Sequence, residues 1–356
     1  MPDNKQSIRF DSNKPLAVGG QAVIEGVMMR APGRIATAVR RANGDIVVKQ
    51  QPYVSLAEKN KLFKLPILRG AAGLIEMLFI GIETLNFSAE VAMQDVEQEK
   101  RAKGNGKPIE KEKKPSNVRL TLTVLFSLVV AVAIFFVTPI VITTKLFSIE
   151  QDAFWFNLIA GGIRISILLV YLGVIAMMKD VKRLFKYHGA EHKAVFTFES
   201  RADLTAESAL QFTRFHPRCG TSFVLIVMVT AMLMFSVLDS LIIMWLGKIS
   251  LPIRLVWHLA FIPVVGGIAY EFIRWSAKRT TTVLGKILVA PGLWLQRITT
   301  QEPGKPQVEV ALVALKCALG VEENQLGEAP LTYIQHPSEL DRLPLPQPSF
   351  GGFVNN

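Results

Sequence analysis

Four long apolar runs constrain this chain more than any other feature. Leu120 to Thr144 carries no charge, and Phe154 to Met178 is interrupted by Arg164. Ser222 to Gly247 holds Asp239, and Ile253 to Trp275 carries His258 and ends in Glu271 and Arg274. At about 1.5 Å per residue each run is long enough to cross a hydrocarbon layer of about 30 Å. Water cannot satisfy a backbone there, so each run is expected to be a helix. The composition agrees: 50% of residues are hydrophobic, 19% are charged, and the mean hydropathy is +0.33. The expected fold class is a mainly α-helical polytopic membrane protein. It has about four transmembrane helices, additional interfacial or re-entrant helices, and a small cytosolic β element.

Flanking charge orients the runs. Lysines crowd Glu97 to Arg119, before the first run, and Lys179, Lys182, Arg183, Lys186 and Lys193 follow the second. Lys278 and Arg279 follow the fourth, whereas Lys145 to Ala153 is poor in bases. The positive-inside rule then puts both termini and the 179–221 loop in the cytosol. The net charge of +11 fits anionic lipid at that face. No aromatic-plus-basic module points to nucleic acid, and the first residues lack the apolar core of a signal peptide. The two cysteines, Cys219 and Cys317, are too far apart in sequence to suggest a disulfide framework. The expected location is the bacterial plasma membrane or an equivalent organellar membrane.

Outside the spans, residues 1–14 read as a flexible N-terminus and 15–60 as a β-rich element. Ile35, Thr37 and Val39 alternate, and Asn43-Gly44 supplies a tight turn before Ile46. Residues 61–93 carry Glu76, Glu83 and Glu90 seven apart on an otherwise apolar helix. That helix is either interfacial and partly inserted, or packed on the cytosolic element. Residues 94–118 form a charged linker, expected to be disordered. The membrane domain occupies 119–300 and includes Thr282 to Ile298, a short Pro291-containing stretch suited to a re-entrant or surface-lying helix. Residues 301–356 hold a short amphipathic helix, Val308 to Leu319, and a proline-rich tail extended along the cytosolic element.

Chemistry concentrates in Tyr187-His188-Gly189-Ala190-Glu191-His192-Lys193. On a helix, His188 and His192 lie one turn apart on one face, so both rings can reach one metal ion. Glu191 stands beside them as a general base, the arrangement of the His-x-x-Glu-His motif. Zinc is the expected ion, although other divalent metals suit the same donors. A third ligand must come from the same membrane face. Glu271 suits that role, or else it pairs with Arg274 one turn on. His216 and Cys219, in Arg214-Phe215-His216-Pro217-Arg218-Cys219-Gly220-Thr221, either complete a closed four-ligand site or divide the work. In the second case His216 stabilises an oxyanion and Cys219 is a buried helix-end residue. Glu25 either forms a local salt bridge or reaches the site as a further catalytic carboxylate.

Three runs in this order, Gly19-Gly20-Gln21-Ala22-Val23-Ile24-Glu25-Gly26-Val27-Met28-Met29-Arg30, Tyr187 to Lys193 and His216 to Thr221, resemble those of the YqhQ-like bacterial family of unknown function. The resemblance covers roughly residues 15 to 300. Its members are described as predicted metal-dependent membrane enzymes. It implies an integral membrane protein and associates Glu25 with the histidines, but it supplies no substrate.

The leading expectation is a membrane-embedded, metal-dependent hydrolase that opens to the cytosol and acts on a membrane peptide or a lipid-linked amide or ester. Two others stand beside it. A transporter or channel component would use Arg164, Asp239 and His258, and a scaffold or assembly factor would use a closed structural metal site.

Overall fold

The computed structural model describes residues 18–102, 117–277, 282–320 and 331–334. Strands β1 (Gly19–Val23), β2 (Gly26–Ala31), β3 (Arg34–Arg40) and β4 (Ile46–Pro52) form an antiparallel meander in chain order. The Asn43-Gly44 turn is present, with Gly44 at φ +97°, where a Cβ would be strained. A fifth strand, β5 (Leu331–Ile334), pairs with β4, so this part of the tail does lie along the sheet.

Both faces of the sheet are covered. Alternation sends Val27, Met29 and Ala31 of β2 to one core, and Met28 to the other. The first core contains helix α6 (Lys179–Glu199), α7 (Ala206–Leu210) and α11 (Lys305–Ala318). The sequence suggests an amphipathic α11, yet Val308 and every residue from Val310 to Ala318 are buried. Sheet, α6 and α7 enclose it, and the charge that breaks its apolar pattern, Glu309, is paired with Arg40 at 2.8 Å.

After the short α1 (Leu56–Lys59), the other face of the sheet is covered by α2 (Leu68–Ala102). Two of its carboxylates bond to the sheet and the chain that follows it: the exposed Glu83 pairs with Lys49 of β4, and Glu76 accepts from the Leu56 N–H. Residues 97–102 belong to this helix, contrary to the disordered linker expected from their charge. Residues 103–116, with the remainder of that linker, lie outside the described residues, as do 1–14, Lys278, Arg279 and most of the tail.

Among the described residues, four stretches are long and apolar enough to cross a membrane: Leu125–Phe147, Ala153–Ala176, Phe223–Leu246 and Leu251–Ser276. They match the sequence expectation closely. The first comprises α3 (Asn117–Val132), a π-helical turn (Ala133–Val137) and α4 (Thr138–Phe147). The others lie in α5 (Ala153–Ala176), α8 (Gly220–Leu246) and α9 (Leu251–Ala277). Large apolar side chains such as Phe126, Val170, Val237 and Trp245 face outward and are exposed. This is a polytopic membrane fold carrying a small antiparallel sheet. The amphipathic α10 (Val283–Thr299) buries Gly285, Gly292 and Leu295 against α8 and leaves Leu284, Ile287 and Trp294 exposed.

Small residues bring α2 onto α9. A Cβ at Gly70 would lie 2.8 Å from the Tyr270 side chain and 3.0 Å from Gly267, and one at Gly267 would strike the Ile67 carbonyl. Several polar groups inside the bundle pair with one another, while the buried Thr144 Oγ1 and His258 Nδ1 have no hydrogen-bond partner among the described residues. Pro139 has no N–H to return to the Phe135 carbonyl, and Arg164 Nε donates to that oxygen at 2.9 Å. Asp239 accepts from Asn157 (2.7 Å), Arg254 Nε (2.9 Å) and His258 Nε2 (2.8 Å). Arg254 also donates to the Glu150 carbonyl, and the Gln151 side chain bridges to Ile249, tying together the two hairpin tips opposite the sheet. Asp239→Leu removes the acceptor shared by three buried donors. It should cost about 3–5 kcal/mol, read as a clear fall in the detergent melting temperature; an unchanged melt would contradict this role.

Candidate functional site

The Tyr187–Lys193 segment lies mid-way along α6, where the helix passes beneath the edge strand β1. Its small residues set the approach. A Cβ on Gly189 would stand 2.2 Å from the Gln301 carbonyl, and Ala190 and Ala194 are wholly buried in the core shared with α11. The chain leaving α10 therefore lies directly on α6.

That proximity fixes the histidines. His188 Nδ1 lies 2.8 Å from the Thr299 carbonyl, and His192 Nδ1 lies 2.5 Å from the Arg214 carbonyl. A carbonyl can only accept, so both Nδ1 atoms carry the proton and Nε2 is the acceptor of each neutral ring. The rings are 4.5 Å apart. Cys219 Sγ is 3.2 Å from His188 Nε2, and one donor atom each from His188, His192 and Cys219 falls within 4.8 Å of the others. Cys219 is the N-cap of α8 and its sulfur accepts from the Thr221 N–H. Two imidazoles held in one tautomer by backbone carbonyls, facing a thiol, form a donor set that suits zinc. Among the described residues no fourth His, Cys, Asp or Glu joins them.

Glu191 is buried next to this cluster. Burial pushes its carboxyl above the usual carboxylate range, partly offset by the neighbouring His188 and a hydrogen bond from the Gly20 N–H. A Cβ on Gly20 would meet the Met28 carbonyl at 2.4 Å and Glu191 Cγ at 3.1 Å, so a glycine there lets β1 approach the carboxylate. Burial holds the His192 imidazole below its ordinary pKa, against contacts with Cys219 that act the other way. His188, Glu191 and Cys219 share one wall of a cavity of about 670 Å³ between β1, α2, α6 and the start of α8. Across it lie Arg30, Tyr53, Met77 and Tyr270. Burial and a hydrogen bond to Glu76 push the Tyr53 hydroxyl up to about 12, so it stays neutral.

Residues 65–321 match a family described as a protein of unknown function, DUF1385. The chain is also 33% identical over 315 residues to the "Uncharacterized protein YqhQ" of Bacillus subtilis (strain 168), covering 86% of this chain and 94% of that protein. The chain belongs to this family. No solved structure matches it.

The other residues singled out in the sequence fall elsewhere. Glu271 is not among the clustered donors: both of its oxygens accept from Arg69 of α2, through Nε at 2.5 Å and through Nη2. The third side chain in the donor cluster is Cys219, and the ion-pair partner of Glu271 is Arg69 rather than Arg274. His216 stacks near His192 and Phe196, but its ring is committed. Nδ1 accepts from the Arg218 N–H, which leaves Nε2 to donate to Glu199 at 3.4 Å. Burial raises the Glu199 carboxyl, and the His216 hydrogen bond with the Arg218 charge outweighs it, leaving a net depression. His216 thus braces the loop and offers the cluster no free lone pair. Glu25, at φ +53° in the β1–β2 turn, pairs with Arg183 at 2.5 Å and accepts from the Tyr187 hydroxyl at 3.2 Å. It does not line the cavity.

Several residues shape the site in ways their sequence position does not announce. Gln296 of α10 holds the His216 backbone at both N and O, each at 2.8 Å. The buried Lys193 donates to the Leu210 and Phe212 carbonyls, and Arg214 donates to the Thr300 carbonyl. Together they position the two carbonyls that hold the histidines. Gly189→Val should push the Thr299–Gln301 segment off α6 at a cost of about 1–3 kcal/mol. The expected readout is a melting temperature several degrees lower, with Gly189→Ala intermediate; a wild-type melt for the valine variant would contradict the close packing.

Proposed function

We propose that this protein is a membrane-embedded, metal-dependent hydrolase. The observation that carries the reading is the convergence of His188 Nε2, His192 Nε2 and Cys219 Sγ, with both Nδ1 protons committed to carbonyls and a buried Glu191 on the same cavity wall. Three donors suit a zinc ion that keeps one position open, the pattern of catalytic rather than closed structural sites. Bound there, the ion would supply acidification of a water and polarisation of the scissile carbonyl.

The chain's own residues do the remainder. Glu191, oriented by the Gly20 N–H, takes the proton of the attacking water and returns it to the leaving nitrogen or oxygen as the acyl bond breaks. The apolar walls from α2 and α8 exclude bulk water and hold the substrate. We assign the site to the cytosolic side of a bacterial plasma membrane, from the lysines and arginine at 179–193 and the positive-inside rule. The exposed apolar stripes of α2 and α10 then rest in the anionic lipid interface of that face. A membrane peptide or a lipid-linked amide or ester fits this location.

Elemental analysis of detergent-purified protein tests the reading. Wild type should carry about one zinc per chain, lost in His188→Ala and Cys219→Ser and kept in Glu191→Gln and Glu271→Gln. Metal-free protein from a chelator-free, zinc-replete preparation would remove the basis for the hydrolase. Zinc that survives Cys219→Ser but not Glu271→Gln would return the third position to Glu271.

A further inference from the structure

The cavity beside the cluster is lined by Arg30, which has no direct carboxylate partner among the described residues. Arg30 leaves β2 on the side of the sheet that faces α2, lies over the Tyr53 ring at 5.2 Å, and donates from Nη1 to the Tyr53 hydroxyl (3.3 Å) and Met77 Sδ (3.2 Å). The other charges on the cavity wall are committed. Arg69 is held by Glu271, and Glu76 is engaged by the Leu56 N–H and the Tyr53 hydroxyl. An arginine stacked on an aromatic ring, with donors left over and facing a cavity, is built to receive a carboxylate or phosphate.

The rest of the lining indicates what is attached to that anion. Leu74, Met77, Phe223 and Tyr270 present apolar surface to the same space. Phe223 begins one membrane-spanning stretch and Tyr270 lies in another, so the cavity reaches the level where the spans begin. Arg30 and Glu191 approach the edge strand from its two faces: Arg30 pairs with Gly19 in register, and Gly20 donates to Glu191. Arg30, His188, Glu191 and Cys219 line one cavity, so a ligand held by Arg30 shares that space with the cluster.

Building on the hydrolase reading, we infer that the cavity binds an amphiphile, its phosphate or carboxylate head held by Arg30 and its apolar chain lying along Leu74, Met77, Phe223 and Tyr270. A soluble anion has no use for the apolar wall, and a neutral lipid has none for Arg30.

Photolabelling tests this with dodecyl phosphate carrying a diazirine in its chain, on full-length protein in a neutral maltoside detergent. Peptide mapping should place the label in Leu74–Met77 or at Phe223. Unlabelled dodecyl phosphate should compete, whereas inorganic phosphate and dodecanol should not. At sub-saturating probe, Arg30→Gln should reduce labelling by about tenfold or more, as expected for loss of a charge-assisted bond, while Arg30→Lys retains part of it. Labelling at these positions indifferent to Arg30, or blocked equally by dodecanol, would overturn the proposal as simple detergent-like partitioning. Blocking by inorganic phosphate would reduce it to an anion site and overturn the amphiphile. Should Arg30→Gln fail to elute as a monodisperse species, the competition pattern and the lysine variant carry the test. Metal content measured on the same samples separates the two readings. Labelling on metal-free protein would keep the amphiphile site and sink the hydrolase, and zinc-loaded protein without labelling would do the reverse.

Discussion

Two backbone carbonyls, those of Arg214 and Thr299, organise this structure. Each takes the Nδ1 proton of a histidine on α6 and so aims the opposite nitrogen at Cys219. A histidine left to itself samples two tautomers and several rotamers; a fixed carbonyl removes that freedom before any ligand arrives. Much of the surrounding structure holds those carbonyls in place. Gln296 pins the loop that carries Arg214, Lys193 and Glu199 anchor its two flanks, and Gly189 admits the segment following Thr299.

The membrane bundle supplies the platform. Its polar side chains are expensive in hydrocarbon, and several are used in pairs. Asp239 gathers Asn157, Arg254 and His258 into one buried cluster, and Arg164 completes a carbonyl that Pro139 cannot serve. At the opposite end the glycine-mediated crossing of α2 on α9 sets one wall of the cavity, and the Arg69–Glu271 pair locks it. The sheet layer and the bundle thus meet at the cavity, where Cys219 begins α8 and Gly20 lies on β1.

Much of this was legible in the sequence, for physical reasons. Runs of twenty apolar residues have few alternatives to spanning helices, and the β meander announced itself through alternation and Asn43-Gly44. The His188 and His192 pair followed from helical spacing alone. Glu271 was misread because a carboxylate at the membrane edge can be satisfied by a metal or by an arginine, and Arg69 stands 202 positions away in sequence. Nothing local distinguishes the two. The burial of α11 escaped because its charges suggested a wet face, whereas Glu309 is met by Arg40 and Lys316 is enclosed. The carbonyls of Arg214 and Thr299 could not be read at all, since every residue has one. Arg30 was visible in the N-terminal run, but only the fold brings it to the same cavity as Glu191.

The most direct test of the arrangement is X-ray absorption spectroscopy at the zinc edge on the zinc-loaded, detergent-solubilised protein. The account predicts one sulfur at about 2.3 Å and two imidazole nitrogens at about 2.0–2.1 Å, with a further light atom in the remaining position. A shell without sulfur, or one with two or more, would contradict the His188–His192–Cys219 centre on which the functional reading stands.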